Sequence, residues 1–193
     1  MFFDYNSNSC DVEFPKHTAS KGSPLQIPHI IKIEGNLIAK ALSENTKWNT
    51  FVDVGASEGL WTINMAKYFD HVIAIEPYPK AYELLKKNTQ SLPNVTLYNI
   101  ALAKRIYRKY VMLEGPSFNI GMTKRLHEFA LLDQEMFEVL NCKTFTVEAI
   151  TLDSLKLNNV SMIKIDVEGE EKNVLKGGEK TIAQWDPYII VDE

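Results

Sequence analysis

The chain has 193 residues, of which 45% are hydrophobic and 24% charged, a balance that suits one α/β domain with a buried core. A formal net charge of −4 argues against a general nucleic-acid binder, no apolar run approaches the roughly 20 residues of a membrane-spanning helix, and MFFDYNSNSCDVEF lacks the basic flank and apolar stretch of a signal peptide. Cys10 and Cys142 form no close-spaced pair and the four histidines are scattered, so neither a disulfide framework nor a metal site is expected, and a reducing, cytoplasmic setting is the simplest reading.

In chain order, residues 1–33 are polar and turn-rich, with Pro15, Gly22, Pro24 and Pro28, and read as an N-terminal arm rather than a second domain. From Glu34 to about Thr46, Leu37, Ile38, Ala41 and Leu42 recur at helical spacing. Thr50–Val54 is a short apolar run stopped by Gly55, the pattern of a buried strand. Leu60–Tyr68 reads as a helix, His71–Ile75 as a second strand, Lys80–Gln90 as a second helix and Val95–Asn99 as a third strand. Such alternation predicts a parallel sheet with right-handed crossovers. The rhythm breaks at about 104–149, where Tyr107–Leu113 and Lys143–Glu148 look like strands and Leu126–Leu140 like a helix, an insertion placed to cap the sheet. It resumes with a strand at Met162–Asp166, a helix at Glu170–Lys176 closed by Gly177 as a left-handed residue, and a strand at Tyr188–Val191. The expected architecture is an α/β, Rossmann-like, mainly parallel sheet in one domain, residues 34–193.

Three segments carry chemistry. In Phe51-Val-Asp-Val-Gly-Ala-Ser-Glu-Gly59 a strand enters a glycine-bounded turn and then a helix. Gly55 allows the turn, the small Ala56 and Ser57 let a ligand approach the backbone, and Gly59 permits close passage into the helix. Ile75-Glu76-Pro77 follows at the end of the next strand, where an acid about 20 residues after the glycine turn can accept both ribose hydroxyls of an adenosine ligand. The loop lacks the second glycine of a dinucleotide fingerprint, and Glu58 would repel a pyrophosphate, whereas S-adenosylmethionine (SAM) has no phosphate and a positive sulfonium. SAM is therefore favoured over NAD. Finally, Met162-Ile-Lys-Ile-Asp-Val-Glu-Gly-Glu-Glu171 ends a buried strand in Asp166. If that strand lies beside the first, Asp166 faces the Gly55 turn, where it can orient or deprotonate an acceptor hydroxyl or bind the SAM amino group. Glu168 admits a catalytic or a helix-start reading, while Glu170 and Glu171 read as acids favoured at the positive end of a helix.

Weaker features have plain explanations. Lys104-Arg-Ile-Tyr-Arg-Lys-Tyr110 reads as a solvated strand with tyrosines packed on one side, although it could also grip an acidic ligand. Trp61 either closes over the methionine end of SAM or belongs to the core. Asp153 reads as the cap of a short turn. His29 and His127 have no neighbours in sequence that make them bases.

VDVGASEG, AIEPYP, YNIALA, TLDSL and IKIDVEGEEKNVLKGG, in that order from about Phe51 to the C-terminus, resemble the FkbM-type methyltransferase family. The resemblance implies the class I methyltransferase fold and SAM-dependent methylation of a hydroxyl on a small acceptor, often a sugar or polyketide-like metabolite. It places Gly55 and Gly59 in the SAM loop, Asp53 as the acid steadying that loop, Glu76 on the ribose, Ala101 near the adenine, and Asp166 to Gly169 facing the methyl. The family fold has two further strands beyond Val191. The sheet is thus expected to be truncated after its fifth core strand, as a fragment or a minimal member, with an open edge that invites a homo-oligomer. A non-catalytic SAM-binding or scaffold module is the alternative function, and an NAD-dependent oxidoreductase a weaker one.

Overall fold

The computed structural model describes residues 48–113, 124–125 and 144–191. The expected arm, the expected helices at 34–46 and 126–140, and Cys10, Cys142, His29 and His127 lie outside the described residues.

Five strands form one all-parallel sheet: β1 (Thr50–Val54), β2 (His71–Ile75), β3 (Val95–Tyr98), β8 (Val160–Ile165) and β9 (Tyr188–Val191), in the order β3-β2-β1-β8-β9. Every residue of β1 is buried, as expected of a central strand covered on both faces. The helix α1 (Leu60–Met65) joins β1 to β2, and α2 (Pro79–Thr89) joins β2 to β3. Pro79 sits in the first turn of α2, where its missing N–H costs nothing, and Ala81, Leu85 and Thr89 recur every fourth residue to form its buried face. Lys86 and Lys87 fall in the last turn, where cations suit the helix dipole. Alternate residues of β1 point to opposite faces. Val52 and Val54 join Ile73, Ile75, Ile163, Ile165 and Val174 in the main core, whereas Asp53 turns to the side of α1.

The region between β3 and β8 builds a second sheet: β4 (Ala101–Leu102), β5 (Tyr107–Leu113), β6 (Lys124–Arg125) and β7 (Thr144–Ile150), ordered β4-β7-β5-β6. Here β4 runs parallel to β7, and β5 runs antiparallel to both β7 and β6. Tyr110 and Met112 pack with Ala101, Ala103, Val147 and Ala149 in a small core of their own. Lys104, Arg105, Arg108 and Lys109 are exposed while Tyr107 packs on Tyr110, so the basic stretch is a solvated edge with its tyrosines turned to one side.

Two details differ from expectation near the C-terminus. Gly177 is not left-handed: it ends α3 (Glu171–Gly177) and leads through Gly178 into α4 (Glu179–Trp185), a helix the glycine pair hides in the sequence. What requires glycine at 177 is space, since a Cβ there would lie 2.2 Å from the Ala103 carbonyl oxygen. Asp153 does not cap its own 3-10 turn, Leu152–Leu155, which Thr151 Oγ1 caps by accepting the Ser154 N–H. It accepts instead the Thr181 N–H and hydroxyl, both at 2.8 Å, and the Lys180 N–H at 3.3 Å, in the first turn of α4. Slight burial works against ionisation, but these donors prevail and hold the Asp153 carboxyl below its ordinary range.

Candidate active site

The chain runs outward from β1 to β2 and β3 on one side and to β8 and β9 on the other, so the strand order reverses between β1 and β8. Open α/β sheets bind ligands beyond the carboxyl ends of the strands at such a point. A cavity of about 190 Å³ lies there, and its lining includes Gly55, Ser57, Glu76, Asp166, Glu168 and Glu170.

The turn after β1 is held by Gly55 N–H and Ala56 N–H, which both donate to the Ile75 carbonyl at 2.9 and 3.0 Å. Gly55 has φ +80°, and a Cβ on it would sit 1.8 Å from the Asp166 carbonyl oxygen. The β1 and β8 ends therefore approach as closely as backbone allows, which brings Asp166 to the Gly55 turn. Asp166 N–H completes the junction by donating to the Val54 carbonyl at 3.0 Å.

Glu76 directly follows β2 and is 6% exposed. Its two carboxylate oxygens accept the Ser57 N–H at 2.8 Å and the Tyr78 N–H at 2.7 Å. Burial raises its pKa to about 7 against the pull of those two donors, and the nearby Asp53 and Asp166 add to the rise. Asn99 Nδ2 donates to the Glu76 and Pro77 carbonyls at 2.8 and 3.1 Å, fixing the backbone that carries the acid.

A row of charges, buried at Asp53 and Lys164, leads up to Asp166 at this surface. Asp53 on β1 and Lys164 on β8 are partners in register, and both are inaccessible. Lys164 Nζ reaches Asp166 Oδ2 at 3.2 Å. Asp53 Oδ2 accepts the Thr62 hydroxyl at 2.7 Å, while its Oδ1 has no hydrogen-bond partner. Burial pushes the Asp53 carboxyl up, against the attraction of Lys164.

The loop after β8 is tightly specified. Glu168 has φ +53° and Gly169 φ +101°. Glu171 Oε1 accepts the Gly169 N–H at 2.9 Å and the Val167 N–H at 3.3 Å, so this acid closes its own loop. Glu170 is buried, and its Oε2 accepts both the Tyr110 hydroxyl at 3.0 Å and Asn173 Nδ2 at 2.8 Å.

Of the residues singled out in the sequence, Gly55, Ser57, Glu76, Pro77, Ala101, Asp166 and Glu168 line this cavity. Asp53 lies under it. Ala56 packs on Ala74 and Leu85 in a core cluster, and Trp61 is buried; neither is among the lining residues. Gly59, at φ +92°, is where α1 starts, and a Cβ on it would meet Leu85 Cδ1 at 2.6 Å, so its smallness serves the packing of α2. Sequence reasoning missed the wall from the second sheet, Tyr110 and Met112, and read Glu170 as a helix-start acid. Alternation along β5 marks Tyr110 and Met112 as an inward pair, but nothing local says what they face.

The model of the methyltransferase FkbM domain family matches residues 53–193. Among solved structures, the chain is similar to a methyltransferase FkbM from Methylobacillus flagellatus, with 17% identity and a TM-score of 0.50 over 77% of this chain and 34% of that one. It also aligns with the YcgJ protein of Bacillus subtilis (20% identity, TM-score 0.30, 33% of this chain and 27% of that one). A third match is precorrin 8w decarboxylase of Methanobacterium thermoautotrophicum (19% identity, TM-score 0.46, 92% and 64%). The chain thus spans 34% of the length of the first of these. No curated protein matches it.

Proposed function

The chain belongs to the FkbM methyltransferase domain family, and from this we propose that it methylates a hydroxyl of a small acceptor, a saccharide or glycoconjugate, with SAM as the donor. The observation that carries the reading is the meeting of the Gly55 turn, Glu76 and Asp166 around one cavity at the strand-order switch.

The residues present suit SAM. Each Glu76 oxygen uses one lone pair on a backbone N–H, leaving one apiece for the two ribose hydroxyls. Gly55 and Ser57 offer backbone to the amino-acid end, and Ala101 a small surface for the adenine. Acids suit a ligand that bears a sulfonium and an ammonium, and would repel a pyrophosphate. When bound, SAM supplies an electrophilic methyl carbon whose bond to sulfur breaks as the acceptor oxygen bonds to it. Asp166 orients the acceptor hydroxyl and takes its proton on a carboxylate oxygen, and Lys164 holds that carboxylate in place. Glu168, on the same wall, helps to aim the hydroxyl. The inserted sheet acts as a cap, a role supported by Tyr110 and Met112 on the cavity wall.

Calorimetric titration with SAM and S-adenosylhomocysteine tests this. One saturable site per chain, lost in Glu76→Ala and kept in Asp166→Ala with turnover abolished, is the expected result. Unchanged affinity in Glu76→Ala would remove the ribose assignment. Saturable binding with no transfer to any hydroxyl acceptor would make the chain a SAM-binding module instead.

A further inference from the structure

The segment joining β4 to β5 puts four cations into six residues, Lys104-Arg-Ile-Tyr-Arg-Lys109, in a chain whose formal charge is −4. All four cations are exposed. For two of them the exposure comes from a fault in the strand ladder. Tyr107 pairs with Ala149 and Tyr110 with Val147, so Arg108 and Lys109 together stand opposite the single residue Glu148. Successive side chains of a regular strand point to opposite faces, and a bulge of this kind frees two of them from that alternation. Arg108 and Lys109 therefore both reach solvent, while Tyr107 and Tyr110, three positions apart, still meet with ring centroids 5.4 Å apart. Before the bulge the chain bends through Lys104 and Arg105, from a base fixed by the Ala103 N–H on the Ile150 carbonyl at 2.9 Å. Arg105 lies 5.0 Å over the Tyr107 ring and donates from Nε to the Tyr107 hydroxyl at 2.9 Å, which uses one of its five donors. Between the two pairs of cations sits Ile106, 60% exposed, more than any other large hydrophobic side chain among the described residues.

We propose that this turn docks on an anionic lipid bilayer, with its cations over the headgroup phosphates and Ile106 inserted among the lipids. The inference stands apart from the methyl-transfer reading. Cations on both sides of one solvent-facing isoleucine match the layering of a bilayer surface, charge outside and hydrocarbon beneath. A protein partner would have to supply a fitted pocket for Ile106, whereas a bilayer receives it without one. A nucleic acid offers no hydrocarbon to Ile106 and gains from stacking on aromatic faces, but Tyr107 is already packed on Tyr110. The acid across the bulge, Glu148, is exposed and offsets one of the four cations, so the surface stays positive. Its place in the fold gives the docking a consequence. Ala101 and Leu102 just before the turn, and Tyr110 and Met112 just after it, line the cavity, so a docked turn holds the cavity close to the lipid surface.

The test is co-sedimentation of the full chain with vesicles of phosphatidylcholine alone and of phosphatidylcholine with about 30% phosphatidylglycerol. The chain is expected to bind the anionic vesicles about tenfold more strongly or better, and to be released at about 0.5 M salt. Arg108→Gln with Lys109→Gln is expected to weaken binding by about 25-fold, about fivefold for each cation lost. Ile106→Ser is expected to weaken it by about threefold or more with the salt dependence kept; this change at an exposed bend keeps the test decisive if the double variant does not fold. Lys86→Gln with Lys87→Gln removes the same charge from the exposed end of α2 and is expected to leave binding within about twofold. No binding to anionic vesicles would overturn the inference, as would equal binding to phosphatidylcholine alone. An equal loss in the α2 variant would assign the attraction to net charge, and unchanged binding by Ile106→Ser would remove the insertion; each defeats the proposal. Displacement from vesicles by excess glycerol 1-phosphate would mark a free-phosphate site instead, and tighter binding to single-stranded oligouridylate a nucleic-acid surface, and either would also overturn it.

Discussion

Lys164, 2% exposed at the centre of a parallel sheet, places its ammonium 3.2 Å from the Asp166 carboxylate at the cavity. It is also the register partner of Asp53, so one buried cation serves acids on two adjacent strands. Removing it leaves the inaccessible Asp53 without its nearest positive charge. Lys164→Met is expected to lower stability by about 3 kcal/mol in urea denaturation, the scale for breaking a buried charge pair. A loss under about 1 kcal/mol would mean that Asp53 needs no cation.

Under the proposed function, Glu76 would make SAM binding depend on pH. In the unfolded chain it gives up its proton near its ordinary 4.5, in the folded chain near 7, so between those values the folded state binds the extra proton. Its contribution to stability is complete below about 4.5 and is lost as pH rises through about 7, a swing on the order of 3 kcal/mol. Ligand binding runs the other way, because ribose hydroxyls need a lone-pair acceptor and a sulfonium favours the anion. SAM affinity is expected to rise by up to about tenfold per unit below pH 7 and to level off above it. Calorimetry from pH 5.5 to 8.5 checks this, and a flat profile would refute it. Glu76→Gln should flatten the stability profile in the same range.

The glycines differ in what they tolerate. Gly55→Ala drives a Cβ into the Asp166 carbonyl at 1.8 Å and sits at φ +80°, so neither backbone can yield without parting β1 from β8. A loss of about 3 kcal/mol or more is expected. At Gly59 the obstacle is Leu85 Cδ1, the far end of a flexible side chain, and Gly59→Ala should cost about 1–2 kcal/mol, mostly for its φ of +92°. Thermal melts of the two variants should rank them in that order; equal losses would show that the backbone contact at Gly55 is not what matters.

Asp153 ties the 3-10 turn to the first turn of α4. Asp153→Ala is expected to cost about 1 kcal/mol, as for loss of a helix N-terminal cap. Because its folded pKa is lowered, the contribution is present above its ordinary 3.8 and fades as pH falls through the lower folded value. The difference in stability between the variant and the parent should therefore shrink as pH falls below 3.8. Persistence of the full difference there would assign the effect to packing instead.

Much of the sheet was legible because its strands are short, apolar and stopped by turn residues: Thr50–Val54, His71–Ile75 and Tyr188–Val191 fall where periodicity put them. That Gly55, Glu76 and Asp166 would meet at one cavity was legible for the same reason, since each follows directly on a strand end. What depends on distant packing was not. Gly177 looks like a left-handed helix stop but answers to Ala103, the tight fit of Gly59 is against Leu85, and Glu170, at a helix start, bonds to Tyr110 rather than capping the helix. In each case the deciding partner lies 26 or more positions away and leaves no local trace in sequence.

The unpartnered Asp53 Oδ1 has a consequence for anyone reshaping this protein. A buried acceptor with nothing to accept is a standing liability, and similar-sized apolar or amide replacements at such positions often raise melting temperature. Selection for heat tolerance alone would thus favour replacing Asp53 and Lys164 together, since loss of Lys164 alone strands Asp53. A library screened for endurance and activity together should instead find its gains elsewhere, and the positions it refuses to change would trace the outline of the working site.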